Sequence, residues 1–116
     1  MSSKISFDKT GNKYFRNEQG ELHRDDGPAV EYSYGSKWWY QNGKLHRVDG
    51  PAVESSNGSL LWYQNDKLHR EDGPAIEQLD NTKTWFEHGV KIREQRSNGH
   101  TIWYNKDGRV LNELSL

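Results

Sequence analysis

Apolar residues in this chain come singly or in runs of up to four, and the pattern of these runs returns every 23 residues. The stretch 43–65, "GKLHRVDGPAVESSNGSLLWYQN", is nearly the same text as the 23 residues on either side of it. Within each unit, apolar and polar positions alternate over a few residues and are then cut by Asn-Gly, Asp-Gly or Gly-Pro. Alternation predicts half-buried β-strands, and the interruptions predict turns between them. No segment sustains the three-to-four spacing of a helix face.

A fixed period means one supersecondary unit stacked on copies of itself. His23, His46 and His69 keep the period, as do Pro28, Pro51 and Pro74, and Trp39, Trp62 and Trp85. The chain therefore divides into an N-terminal half-repeat cap (1–19), three full repeats (20–42, 43–65 and 66–88), and a shortened repeat with a C-terminal cap (89–116). The last unit keeps Trp103 but is five residues shorter between its aromatics. All of this lies in a single domain, with no segment that reads as a linker.

The turns set a register. Asn-Gly favours a type I′ hairpin because both central residues need positive φ. A two-residue loop at Asn42-Gly43 places Trp39 across from His46, and one at Asn65-Asp66 places Trp62 across from His69. The same count at Asn57-Gly58 puts Val53 opposite Trp62, with Val30 opposite Trp39 and Ile76 opposite Trp85 in the sibling units. "NEQG" and "NKDG" are one residue longer, which sets Phe15 against His23 and Trp103 against Leu111. One face would then carry Phe15, four Trp, Val/Ile and His. The other would carry Tyr40, Tyr63, Phe86, Tyr104, Leu22, Leu45 and Leu68. Units stacked by translation need an even number of reversals each, so "DGPA" is expected to be a bend or bulge inside a strand path, stiffened by Gly and Pro.

The initial Trp, the "NGK" and the late "NGS" of "WYQNGKLHRVDGPAVESSNGSLLW" resemble the MORN repeat over residues 14–111. The resemblance implies an elongated, twisted antiparallel sheet of successive hairpins, all-β, used mostly as a protein-interaction scaffold. The unit departs from MORN in its middle, where "HRxDGPA" replaces Gly-x-Gly. Tandem "WYxNGxxHRxxGPA" units are also similar to uncharacterised viral and bacteriophage proteins, which implies an accessory protein working in a host cytoplasm.

Composition narrows the function. Hydrophobic residues make up 31% of the chain and mean hydropathy is −1.16, so five Trp, six Tyr and three Phe must supply much of the apolar area. Sixteen basic and seventeen acidic residues leave a net charge of −1, which disfavours a nucleic-acid footprint. The absence of cysteine excludes disulfides and thiolate metal sites and suits a cytoplasmic setting. No stretch is apolar for long enough to span a bilayer as a helix.

Catalytic and metal readings fare poorly. There is no Gly-x-Ser-x-Gly elbow and no phosphate loop. Histidines two strands apart stand ~9.5 Å from one another, too far to share one ion. The expectation is no enzyme, no cofactor and no metal: His23, His46 and His69 stack on Trp and bond the corner backbone, while Arg24, Arg47 and Arg70 pair with Glu31, Glu54 and Glu77 or the corner Asp. A residue present in every unit is explained by stacking, so residues peculiar to one unit carry more information. The first repeat has Tyr32, Tyr34 and Trp38 where the second has Ser55, Asn57 and Leu61. With Tyr40, Arg47 and Tyr63 these form the candidate partner-binding set, because aromatics and Arg are the favoured interface anchors. A protein partner is expected, with carbohydrate or choline as the alternative ligand, since "GSKWWYQNG" is similar to choline- and cell-wall-binding repeats. Spare edges and a second apolar face leave homo-oligomerisation open.

Overall fold

The computed structural model describes residues 4–114. Among them there are strands and turns but no helix. The strands are β1 (Lys4–Phe7), β2 (Lys13–Arg16), β3 (Val30–Glu31), β4 (Lys37–Trp38), β5 (Tyr40–Gln41), β6 (Lys44–Leu45), β7 (Val53–Glu54), β8 (Leu60–Leu61), β9 (Tyr63–Gln64), β10 (Lys67–Leu68), β11 (Ile76–Glu77), β12 (Lys83–Glu87), β13 (Val90–Gln95), β14 (Thr101–Tyr104) and β15 (Val110–Leu114). Eleven of them form one antiparallel meander in the order β1-β2-β3-β4-β7-β8-β11-β12-β13-β14-β15, while β5-β6 and β9-β10 form two-stranded ladders of their own. The protein is all-β and elongated, with extents of 49 × 26 × 21 Å. Eleven strands at ~4.8 Å spacing span about 48 Å, so the long axis runs across the strands. The 21 Å thickness is about twice that of a flat sheet; the sheet is curled.

The two kinds of strand are halves of one path. Residues 37–41 run as a single extended arm whose first half (β4) lies in the large sheet and whose second half (β5) pairs with β6. At the junction, the Trp39 N–H donates to the Ala52 carbonyl (2.7 Å), and the Trp39 carbonyl accepts from the His46 N–H (3.1 Å). The return arm therefore runs alongside Trp39 twice, before and after residues 47–51, which loop out between His46 and Ala52. "DGPA" is thus a large bulge within one strand path, as the parity of reversals requires, and each repeat contributes two reversals. The same bonds recur from Phe15 to Ala29 and His23, and from Trp62 to Ala75 and His69.

The turns at Asn42-Gly43 and Asn65-Asp66 have positive φ at both positions, at 49° and 81° and at 50° and 66° respectively. They are two-residue loops that pair Tyr40 with Leu45 and Tyr63 with Leu68. The other hairpin differs from the expected register. In the loop 56–58 Gly58 has φ of 94° while Asn57 stays negative, and the Ser55 N–H reaches the Ser59 carbonyl. This three-residue loop places Val53 opposite Leu61, not Trp62. By the same shift Val30 faces Trp38, not Trp39, and Ile76 faces Thr84, not Trp85. One residue of slip moves a side chain to the other face, so Val30, Val53 and Ile76 belong with the Tyr and Leu residues. Trp103 pairs with Asn112, not Leu111, because a bulge intervenes between Trp103 and Tyr104.

The fourth unit shows what its five missing residues do. Phe86 faces Lys91 and Thr84 faces Glu94, with a one-residue irregularity between, where the full repeats insert the whole looped-out corner. The deletion removes the corner and leaves the hairpin. Buried apolar residues are few and small: Ala29, Ala52 and Ala75 at the corners, Val30 and Val53 in the sheet, and Phe15 and Ile102 toward the ends.

Candidate functional site

The faces differ in chemistry. Trp39, Trp62 and Phe15 lie on one, and each is covered by the arginine of its own corner: Arg24 Cζ stands 4.0 Å from the Phe15 ring centre, Arg47 4.0 Å from Trp39 and Arg70 3.8 Å from Trp62. The guanidinium, rather than the imidazole expected from sequence, takes the ring face. Arg47 Nε donates to Asp49 (3.2 Å), and its Nη1 donates to the Pro51 carbonyl and to Glu54 (both 3.0 Å). Arg24 and Arg70 repeat the arrangement with Asp26, Pro28 and Glu31 and with Asp72, Pro74 and Glu77. These are the pairings expected from spacing.

Gly50 completes the sandwich, since a Cβ there would lie 2.8 Å from Arg47 Cζ. Its φ is not positive, so close approach, not turn geometry, selects glycine. "HRxDGPA" is therefore one device: Arg on a ring, Gly against Arg, Asp and the Pro carbonyl as acceptors, and a buried Ala beneath.

The histidines bond backbone, but in the turn of the next hairpin. Nδ1 of His23 accepts the Asn42 N–H (2.9 Å), that of His46 the Asn65 N–H (3.1 Å) and that of His69 the His88 N–H (2.9 Å). This fixes a tautomer with the proton on Nε2, which in His23 faces Asp25 at 3.0 Å. Each histidine is a staple between successive hairpins. Among the described residues no three His, Asp or Glu side chains gather as a metal site.

The opposite face carries the residues peculiar to the first repeat. Tyr34 and Tyr32 stack with ring centres 5.2 Å apart, Tyr32 meets Trp38 edge-on at 5.5 Å, and Trp38 stacks on Tyr40 at 6.5 Å. Four of the six candidate residues thus form one continuous strip. Burial and the neighbouring phenols Tyr34 and Tyr14 push the Tyr32 hydroxyl above its ordinary range. Burial, then Tyr32, Asp66 and Tyr63, do the same for Tyr40. These hydroxyls are neutral donors at neutral pH. Tyr63 stands at the Tyr40 position one repeat on. Arg47 does not join the strip: consecutive residues of a strand point to opposite faces, and Arg47 lies over Trp39 while Trp38 faces Tyr40.

No family model matches the chain, and a search of the curated proteins finds no match.

Tyr34 sits at the middle of the loop 33–35. At the same position Asn57, Asp80 and Asn98 each use a side-chain oxygen to accept the N–H two residues on, at 2.9 Å. Tyr34 has no such acceptor to offer and is 62% exposed. One feature was missed from sequence: the three corner segments 24–31, 47–54 and 70–77 hold eight carboxylates against three arginines, an imbalance hidden inside a net charge of −1.

Proposed function

We propose that the chain is a non-enzymatic protein-interaction module, a viral or bacteriophage accessory protein that binds a host protein in the cytoplasm. The observation that carries this is Tyr34. An exposed ring replaces a turn-stabilising Asn or Asp and extends a strip of three further aromatics. A position that forgoes a local hydrogen bond worth about 0.5–1.5 kcal/mol gains an exposed aromatic, a residue type favoured at interface centres. The likeness of the units to MORN repeats supports a scaffold role, and so does the structural use made of the repeated Arg, His and corner Asp side chains.

The alternative is a carbohydrate or choline-type ligand. Rings packed on one another at 5.2–6.5 Å make a paved strip, which suits a flat sugar or protein surface better than a cage around an ammonium group. The test is capture from host lysate with wild type beside Tyr34→Asn and Trp38→Leu. A partner held by wild type and lost from both variants supports the reading; equal recovery by all three defeats it. Tryptophan fluorescence during titration with glycans and choline decides the alternative.

A further inference from the structure

We propose that the row of corners on the indole face is a second docking site, whose occupant is an extended basic peptide with a Lys or Arg at every third residue. It lies on the face away from the Tyr strip and goes beyond the function proposed above. Two grooves of like build lie between successive corners. The first, about 690 Å³, has Trp39 as its floor, Asp25, Asp26 and Gly27 on one wall, and Val48 and Asp49 on the other. The second, about 490 Å³, has Trp62 as its floor, Val48, Asp49 and Gly50 on one wall, and Glu71 and Asp72 on the other.

Charge selects the occupant. Arg24, Arg47 and Arg70 each face two carboxylates, the corner Asp and the strand Glu, so each cluster keeps one net negative charge. Asp25 and Glu71 add two more, held only beside His23 and His69. The cations lining the first groove are Lys44 and Arg47, and Arg70 lines the second; the two arginines are already engaged. Asp26, Asp49 and Asp72 are almost fully exposed. A basic side chain laid in a groove would run its aliphatic stem along the Trp floor and Val48 and place its charge between carboxylates.

Geometry selects the conformation. Equivalent corners are two strands apart, ~9.5 Å, and three residues of polyproline II advance ~9.3 Å. A chain in that conformation delivers every third side chain to successive grooves. Aromatic-floored grooves are a known setting for such segments.

The test is fluorescence anisotropy with a labelled peptide of five Lys-Pro-Pro units. The controls are a Glu-Pro-Pro peptide and one of the same composition with its lysines contiguous. We expect the spaced lysine peptide to bind best and its affinity to fall between about 0.02 M and about 0.2 M salt. Asp25→Asn with Glu71→Gln should weaken it about tenfold, about 1.4 kcal/mol. Val48→Glu supplies the carboxylate that the middle corner lacks and should tighten binding at least about threefold, a gain that misfolding cannot mimic. Tyr34→Asn should change nothing, which separates this site from the Tyr strip. The proposal is overturned by no binding at low salt, equal binding of either control peptide, indifference to the three corner substitutions, or loss of binding in Tyr34→Asn.

Discussion

Of the arginines that lie on rings, Arg24, Arg47, Arg70 and Arg93 cover Phe15, Trp39, Trp62 and Trp85, but only the first three have a corner, and this contrast gives a sharp test of what the corner contributes. Arg93 Cζ stands 3.7 Å from the Trp85 ring centre, as close as any of its counterparts. Its Nε is buried without an acceptor, where Arg24, Arg47 and Arg70 give theirs to Asp26, Asp49 and Asp72. The five-residue deletion took the acceptor away and left the donor.

Consider Arg47→Met and Arg93→Met, each keeping an apolar stem on its ring. Arg47→Met loses a cation–π contact of about 1 kcal/mol and strands the Pro51 carbonyl and half-buried Glu54, together about 1–2 kcal/mol. The bond to Asp49, 87% exposed, adds a fraction of 1 kcal/mol after solvent screening. The total is about 2–3 kcal/mol. Arg93→Met loses a similar cation–π contact but also removes a buried unsatisfied donor, itself a cost of about 1–3 kcal/mol, so the two cancel within about 1 kcal/mol. At about 4 °C per kcal/mol for a domain of this size, thermal unfolding followed by tryptophan fluorescence should show a fall of about 10 °C for Arg47→Met and a change within about 4 °C for Arg93→Met. Equal losses would mean that ring stacking alone carries the energy, and the account of the corner as an acceptor set would fail.

Other expectations follow from the same geometry. Tyr34→Asn restores the loop hydrogen bond its siblings have and should raise stability by about 0.5–1 kcal/mol in urea unfolding; a destabilised variant would show that the Tyr strip is structural. Gly50→Ala drives a Cβ into Arg47 and should cost about 1–3 kcal/mol, most of it vanishing in an Arg47→Ala background; a double-mutant cycle with no coupling refutes the close-approach argument. Hydrogen bonds from Lys91 and Arg96 hold the Glu94 carboxyl below the ordinary glutamate range. Its contribution is therefore complete above pH ~4.5 and lost as pH falls through the lowered folded value; Glu94→Gln should flatten that limb of the stability–pH curve, and an unchanged limb counts against the pairing.

The repeat, the type I′ turns at Asn42-Gly43 and Asn65-Asp66, and the looped-out corner were legible because each rests on a residue class with one dominant reason to be there. The register of the other hairpin was not, because Asn57-Gly58 suits two turns: a two-residue loop with both φ positive, or the last two positions of a three-residue loop with Gly alone positive. The dipeptide alone does not weigh the two. The full loop "SNGS" does point to the second, because Asn57 can then accept the Ser59 N–H. The ring face changed hands for a related reason. His was expected on it and Arg only on the strand Glu or corner Asp, but only Arg carries enough donors to span Asp49, Pro51 and Glu54 at once while lying on the ring, and only His offers the unprotonated ring nitrogen that the next turn's N–H requires.

That exchange explains how the fold holds together with so small a core. Strands of two mostly half-buried residues have little to bury, and the fully buried corner side chains are alanines. Cohesion comes from two orthogonal devices. The Arg clamp acts within one long hairpin, tying the corner to the ring on its partner arm, and the His staple acts between successive hairpins, tying one return arm to the following turn. A stack built this way fails by nearest-neighbour steps, so loss of one staple should open its own junction and leave distant ones intact. Hydrogen exchange on His46→Phe should therefore lose protection at Asn65 and Asp66 while the bonds from Phe15 to Ala29 and within β13-β14 remain. Uniform loss along the chain would show instead that the sheet unfolds as one unit and that the histidines are not its joints.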